Sequence, residues 1–120
     1  MTKQQLPNLS QFHGSEVFFR HLTGAVYSEG VRFVAQMCGA FWLIDEVLFG
    51  QMDRRVRANP RLREIQFWRL SVVGSEATLT CREDDGEPPA YTKQIPYTDF
   101  PEGDFDLWFE NRTLYLPQER

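Results

Sequence analysis

Cysteine is scarce in this chain, and two residues, Cys38 and Cys81, are too few for a disulfide-stapled scaffold. Each lies in an apolar stretch, Met37-Cys38-Gly39-Ala40 and Leu79-Thr80-Cys81. That context predicts two free, buried thiols in a reducing compartment. A bridge between them would demand a helix-to-sheet contact of narrow geometry. Long hydrophobic runs are missing as well. The longest, residues 40–44, is broken by Asp45-Glu46, and nothing approaches the roughly 18 apolar residues of a membrane span. No apolar export segment follows Met1-Thr2-Lys3-Gln4-Gln5, so a cytoplasmic location is expected. Histidine is limited to His13 and His21, and neither CxxC nor HxxxH spacing occurs, so no metal or other cofactor is expected.

What is present is enough for one core. The chain has 120 residues, the length of a single domain that needs no staple. Its aromatic share of 14%, with ten phenylalanines, separates it from disordered chains. Residues 1–14 lack periodicity and read as an N-terminal arm that Leu6, Leu9 and Phe12 would dock; residues 15–120 read as one domain.

Charge is segregated. Residues 51–69 carry six arginines against Asp53 and Glu64, whereas residues 76–120 carry four basic groups against eleven acids. A basic joint is thus followed by an acidic half.

Periodicity supplies the elements. Ser15 is read as the N-cap of a short helix over residues 16–22, ended by Thr23-Gly24. Ser28 is read as a second N-cap, followed by Val31, Val34, Ala35 and Cys38 at helical spacing and a stop at Gly39. Residues 40–58 are read as a third helix, apolar nearly all round and therefore buried, with Asn59-Pro60 as its stop. The period then changes to two. Strands are expected over 64–73, 77–82 and 91–97, with a last hairpin around Asn111-Arg112. The first of these is either covered on both faces or shifted by a bulge, because Ile65 and Phe67 oppose Trp68, Leu70 and Val72. The expected fold class is α+β: about three N-terminal helices packed on one face of a C-terminal antiparallel β-meander of four to five strands.

In that order stand Gln11-Phe12-His13-Gly14-Ser15-Glu16, Gly39-Ala40-Phe41-Trp42-Leu43-Ile44-Asp45 and Gln66-Phe67-Trp68-Arg69-Leu70. Leu79-Thr80-Cys81, Tyr97-Thr98-Asp99-Phe100-Pro101 and Leu114-Tyr115-Leu116-Pro117 follow. Together, from Leu9 to Pro117, these resemble a family of short bacterial proteins known only as a domain of unknown function. Its members often sit on plasmids, prophages and other mobile elements. The resemblance implies a complete protein and carries no catalytic residue with it.

An enzyme would have to be built from His13, His21, Cys38, Asp45 and Asp99, and nothing in their spacing brings them together. Asp45, surrounded at helical spacing by Phe41, Trp42, Leu48 and Phe49, is expected to be a buried polar group with a structural partner. Arg54, Arg55, Arg57, Arg61 and Arg63 form a candidate partner-binding patch, or a helix end that pairs with the protein's own acids. Glu83, Asp84, Asp85 and Glu87 in one loop, with Glu102, Asp104 and Asp106 in another, form its acidic counterpart, able to steer a basic partner, including a nucleic-acid-binding effector. Direct nucleic-acid binding does not fit an acidic chain whose arginines lack interleaved aromatics. The expected function is that of a non-enzymatic protein-binding modulator carried by a mobile element, such as an inhibitor of a host defence system. The alternatives are a small enzyme with an unrecognised site and a homo-oligomer, a homodimer included, joined through an edge strand or the Trp68 and Trp108 faces.

Overall fold

Residues 17–22 combine Val17, Phe18, Phe19 and Leu22, side chains that suit a pleated surface as well as a helix. In the computed structural model, which describes residues 5–14 and 16–120, they do not form the expected helix. Phe18–Arg20 is a strand, β1, that pairs antiparallel with Val26–Ser28, β2, placing Phe19 opposite Tyr27. Those two rings stack at 5.8 Å, and the Arg32 guanidinium lies 4.3 Å from the Phe19 centroid. Leu22 stands 94% exposed in the connecting loop. The proposed cap Ser15 lies outside the described residues.

Ser28 does cap the next helix, α1 (Glu29–Cys38), its Oγ accepting from Val31 N at 3.2 Å. Gly39 ends α1 in the left-handed region, at φ 60°, which an L side chain would resist. The expected long third helix is broken. It becomes α2 (Phe41–Phe49), a 3-10 turn at Gly50–Met52, and the single turn α3 (Arg54–Arg57). Asp53 is extended, and its carboxylate restarts the helix by accepting from Arg55 N. Gly50 lies so close to Trp68 that a Cβ would sit 3.1 Å from the indole.

The remaining strands are β3 (Ile65–Val73), β4 (Glu76–Arg82), β5 (Tyr91–Ile95), β6 (Gly103–Glu110) and β7 (Thr113–Tyr115). Among the described residues all strands join one seven-stranded sheet, in the order β1-β2-β7-β6-β3-β4-β5. The β2–β7 pair is parallel, so the sheet is mixed. The expected arrangement is therefore corrected twice. Strands, not helices, lead the chain, and the meander extends only through β3-β4-β5, because β6 crosses to the other side of β3. The suspected slip in β3 is absent. Gln66, Trp68, Leu70 and Val72 all face the core, and the register with β4 and β6 is continuous.

The core is a single layer between α1, α2 and that face of the sheet, with Val34, Val47, Leu48, Trp68, Leu79, Leu107 and Leu114 almost fully enclosed. Leu9 and Phe12 of the N-terminal arm pack against it, Phe12 at 5.2 Å from the Phe33 ring, while Leu6 is exposed. Both cysteines are buried and free. No helix of the described residues is long and apolar enough to cross a membrane.

One carboxylate ties the last turn to the first helix. Glu119, only 7% exposed, accepts from Ser28 Oγ (2.6 Å), Gly30 N (3.3 Å) and Leu116 N (2.8 Å). It thus satisfies one first-turn donor of α1, Gly30 N, orients the Ser28 cap hydroxyl, and sits at the positive end of that helix. Replacing it strands buried donors, so Glu119→Ala is expected to lower unfolding free energy by about 2–4 kcal/mol in urea titration. Gly30→Ala should also destabilise, because its Cβ would lie 2.7 Å from the Glu119 carboxylate.

Candidate functional site

The helices cover one face of the sheet, and the strand residues that alternate with the core form the other. At the centre of that open face, register places Phe67 opposite Trp108, and Trp108 opposite Tyr115. The three rings form a row across β3, β6 and β7. Phe67 and Trp108 meet edge to face at 5.3 Å, and Trp108 and Tyr115 at 6.4 Å. Tyr115 donates its hydroxyl hydrogen to Glu110 Oε1 at 2.7 Å. Arg120 completes this end, its Nη2 3.3 Å from Glu110 Oε2 and its guanidinium carbon 5.7 Å from the Trp108 centroid.

On the Phe67 side of the row the 83–89 loop rises beside the sheet and closes a cleft of about 570 Å³. Arg82 holds the loop, donating from Nε to the Glu87 carbonyl (3.0 Å) and from Nη1 to Thr80 Oγ1 (2.7 Å). Pro88 and Pro89 stiffen the wall. Arg69 crosses the floor in a two-bond grip on Asp106, at 2.7 and 3.1 Å, with Asp104 at 3.7 Å. These carboxylates push its already high pKa further up.

The expected site residues divide. Asp85 and Glu87 line the cleft; Glu83 turns away to receive Arg61 at 2.7 Å and Asn59 Nδ2 at 2.9 Å; Asp84 accepts from Asp85 N. The basic joint and the acidic half therefore meet inside one molecule, at Arg61–Glu83. Arg55 is also held internally, by Asp53 (3.0 Å from both Nε and Nη2) and over the Tyr91 ring at 4.4 Å. This pairing holds the Asp53 carboxyl at about 2. Arg54, Arg57 and Arg63 are exposed and pair with no carboxylate among the described residues. They do not reach the cleft.

Asp45 is not buried. Its side chain is 58% exposed on the solvent side of α2, together with Phe41 and Phe49, while Leu43, Ile44, Val47 and Leu48 face the core. The helix is two-sided, and the all-round apolar reading does not hold. Asp45 Oδ1 meets His21 Nε2 at 2.8 Å, so two of the five residues considered for an enzyme do come together. The arrangement is a brace. His21 Nδ1 accepts the Thr23 backbone N–H at 3.1 Å and lies 3.0 Å from Thr23 Oγ1, while Nε2 faces Asp45, so both ring nitrogens are engaged. Cys38 is buried, and burial and the charge of Asp99 push its thiol up, away from a nucleophilic thiolate. No group of three His, Cys, Asp or Glu side chains among the described residues could hold a metal ion.

Trp68, considered for a surface, is 1% exposed and donates from Nε1 to Gln66 Oε1 in the core. Trp108 is the surface indole. Phe67, Tyr115, Arg69 and Arg82 escaped sequence reasoning, since only the pairing of distant strands assembles them; Asp106, read there as part of an acidic loop, lies in β6 and grips Arg69.

Residues 3–120 match a family described as a family of unknown function, DUF6876. The chain belongs to that family. No curated protein and no solved structure matches this DUF6876 chain. Its family membership thus assigns no residue of the open face.

Burial first, and then the bond to Glu110, pushes the Tyr115 hydroxyl up to about 12. The folded state favours the neutral phenol, a contribution fully present below the usual tyrosine pKa of about 10 and lost as pH rises toward 12. In ultraviolet titration of the tyrosinate band, Tyr115→Phe should remove a transition near pH 12.

Proposed function

We propose that this protein is a non-enzymatic binding protein that modulates a protein partner docked on the open face of its sheet. The observation that carries the reading is the row Phe67, Trp108 and Tyr115 on the sheet face opposite α1 and α2, with Phe67 and Trp108 half-buried, Tyr115 buried at its end, and a cleft of about 570 Å³ beside it. Aromatic side chains with arginine nearby are what the centres of protein interfaces are enriched in. The polar groups beside the row support binding more than turnover. Arg69 is taken by Asp106, and Arg82 by Thr80 and the Glu87 carbonyl, so both arginines hold the shape and charge of the cleft.

The cellular setting rests on the resemblance to short bacterial proteins of mobile elements. On that basis the partner is a protein of the host or of the element, and inhibition of a defence system is the finer form of the proposal.

The test is capture from the native host with wild-type, Trp108→Ala and Arg54→Glu baits. A partner should be retained by wild type and by Arg54→Glu, and depleted about tenfold by Trp108→Ala, the loss expected on removing a central aromatic. Equal retention by all three baits would remove the open face from the function.

A further inference from the structure

We infer that the cleft receives an arginine-bearing segment of the partner, its guanidinium laid against the aromatic floor and held by Asp85 and Glu87. The inference rests on the docking role of the open face.

Charge is the first argument. Arg69 is the cation of the floor, and three carboxylates act on it: Asp106 by two hydrogen bonds, Asp104 at 3.7 Å, and Asp85 through its field. Arg82 spends its donors on a hydroxyl and a backbone carbonyl, so it neutralises no carboxylate directly. Asp85 and Glu87 are left at the rim, exposed, with no cation at ion-pair distance among the described residues. A negative rim attracts a cation and repels phosphate, which disfavours a nucleic-acid strand on this otherwise stack-ready face.

The floor is the second argument. The chain already seats three of its own arginines on aromatic rings: Arg32 over Phe19, Arg55 over Tyr91 and Arg120 over Trp108. In the last two a carboxylate, Asp53 or Glu110, grips the same guanidinium. Arg120 lies on the Tyr115 side of Trp108 and does not line the cleft. On the cleft side the ring and the carboxylates recur, with the two rim acids unoccupied. A planar guanidinium matches such a setting, because it stacks and bonds in its own plane at once; an ammonium does only part of this. The wall is preformed by Arg82 and the two prolines, so little ordering is needed on binding.

The experiment is fluorescence anisotropy with the full chain and labelled peptides of matched length, carrying Arg-Gly, Lys-Gly or Glu-Gly repeats, beside a single-stranded oligonucleotide. The arginine peptide should bind about tenfold more tightly than the lysine peptide, and the acidic peptide and oligonucleotide should not bind. Asp85→Asn with Glu87→Gln, exposed changes that leave the core untouched, should cut that affinity about tenfold, as should Trp108→Ala. Equal binding of the lysine and arginine peptides, binding of the oligonucleotide, or indifference to the rim double variant would overturn the inference. So would self-association in sedimentation that the double variant abolishes, since a second copy's Arg54, Arg57 and Arg63 would then fill the cleft. If the captured partner still depends on Trp108 while the peptides are not distinguished, the docking role survives and the arginine fails. If the partner ignores Trp108, the docking role itself fails.

Discussion

The antiparallel pairing of β3 with β6, continuous from Ile65–Glu110 to Val72–Gly103, sets both faces of the molecule at once. It puts Trp68 against Leu107 on the inside and Phe67 against Trp108 on the outside. A slip of β3 by one residue would send Trp68 and Leu70 to solvent and draw Phe67 and Arg69 into the core. The ion pair between Arg69 and Asp106 and the contact between Phe67 and Trp108 both reward the correct register. Core and cleft are thus two readings of one alignment. Neither can be altered at the backbone without the other.

Local chemistry was legible where a residue acts on its neighbours. Ser28 as a cap, Gly39 as a stop and Asn59-Pro60 as a break each depend on groups within a few positions. The hairpin at Asn111-Arg112 was legible for the same reason, both residues adopting positive φ. β1 and β2 were not, because three residues are too few to display a period, and β2 is placed by β7, far away in sequence. Asp45 misled for a related reason. Phe41 and Phe49 look like core residues, yet each is 44% exposed on the same side of α2 as the carboxylate. The candidate site was legible only in its acidic loop. Its aromatic floor is drawn from two strands distant in sequence, β3 and β6, and no linear pattern announces it.

The arginine-rich joint proves to be mixed. Arg55 and Arg61 secure the chain to itself, and Arg55 Nη1 also reaches the Thr92 carbonyl of the edge strand β5 at 3.3 Å. That contact covers part of an edge otherwise available for pairing with another chain, and Pro96 follows the strand at once. The other edge, β1, is only three residues long. Charge, then, guards one border of the sheet while it shapes the cleft on its face.

The parallel pair β2–β7 gives the molecule a particular history each time it is made. Val26 and Tyr27 must find Thr113 and Leu114, and the acceptor that completes the start of α1, Glu119, comes later still. During synthesis the first hairpin and the first helix therefore emerge well before the partners that fix them. They must persist unanchored, with Phe18, Phe19 and Tyr27 accessible, while most of the chain follows. This topology leaves the first hairpin and the first turn of α1 without their native partners until residues 113–119 have been made.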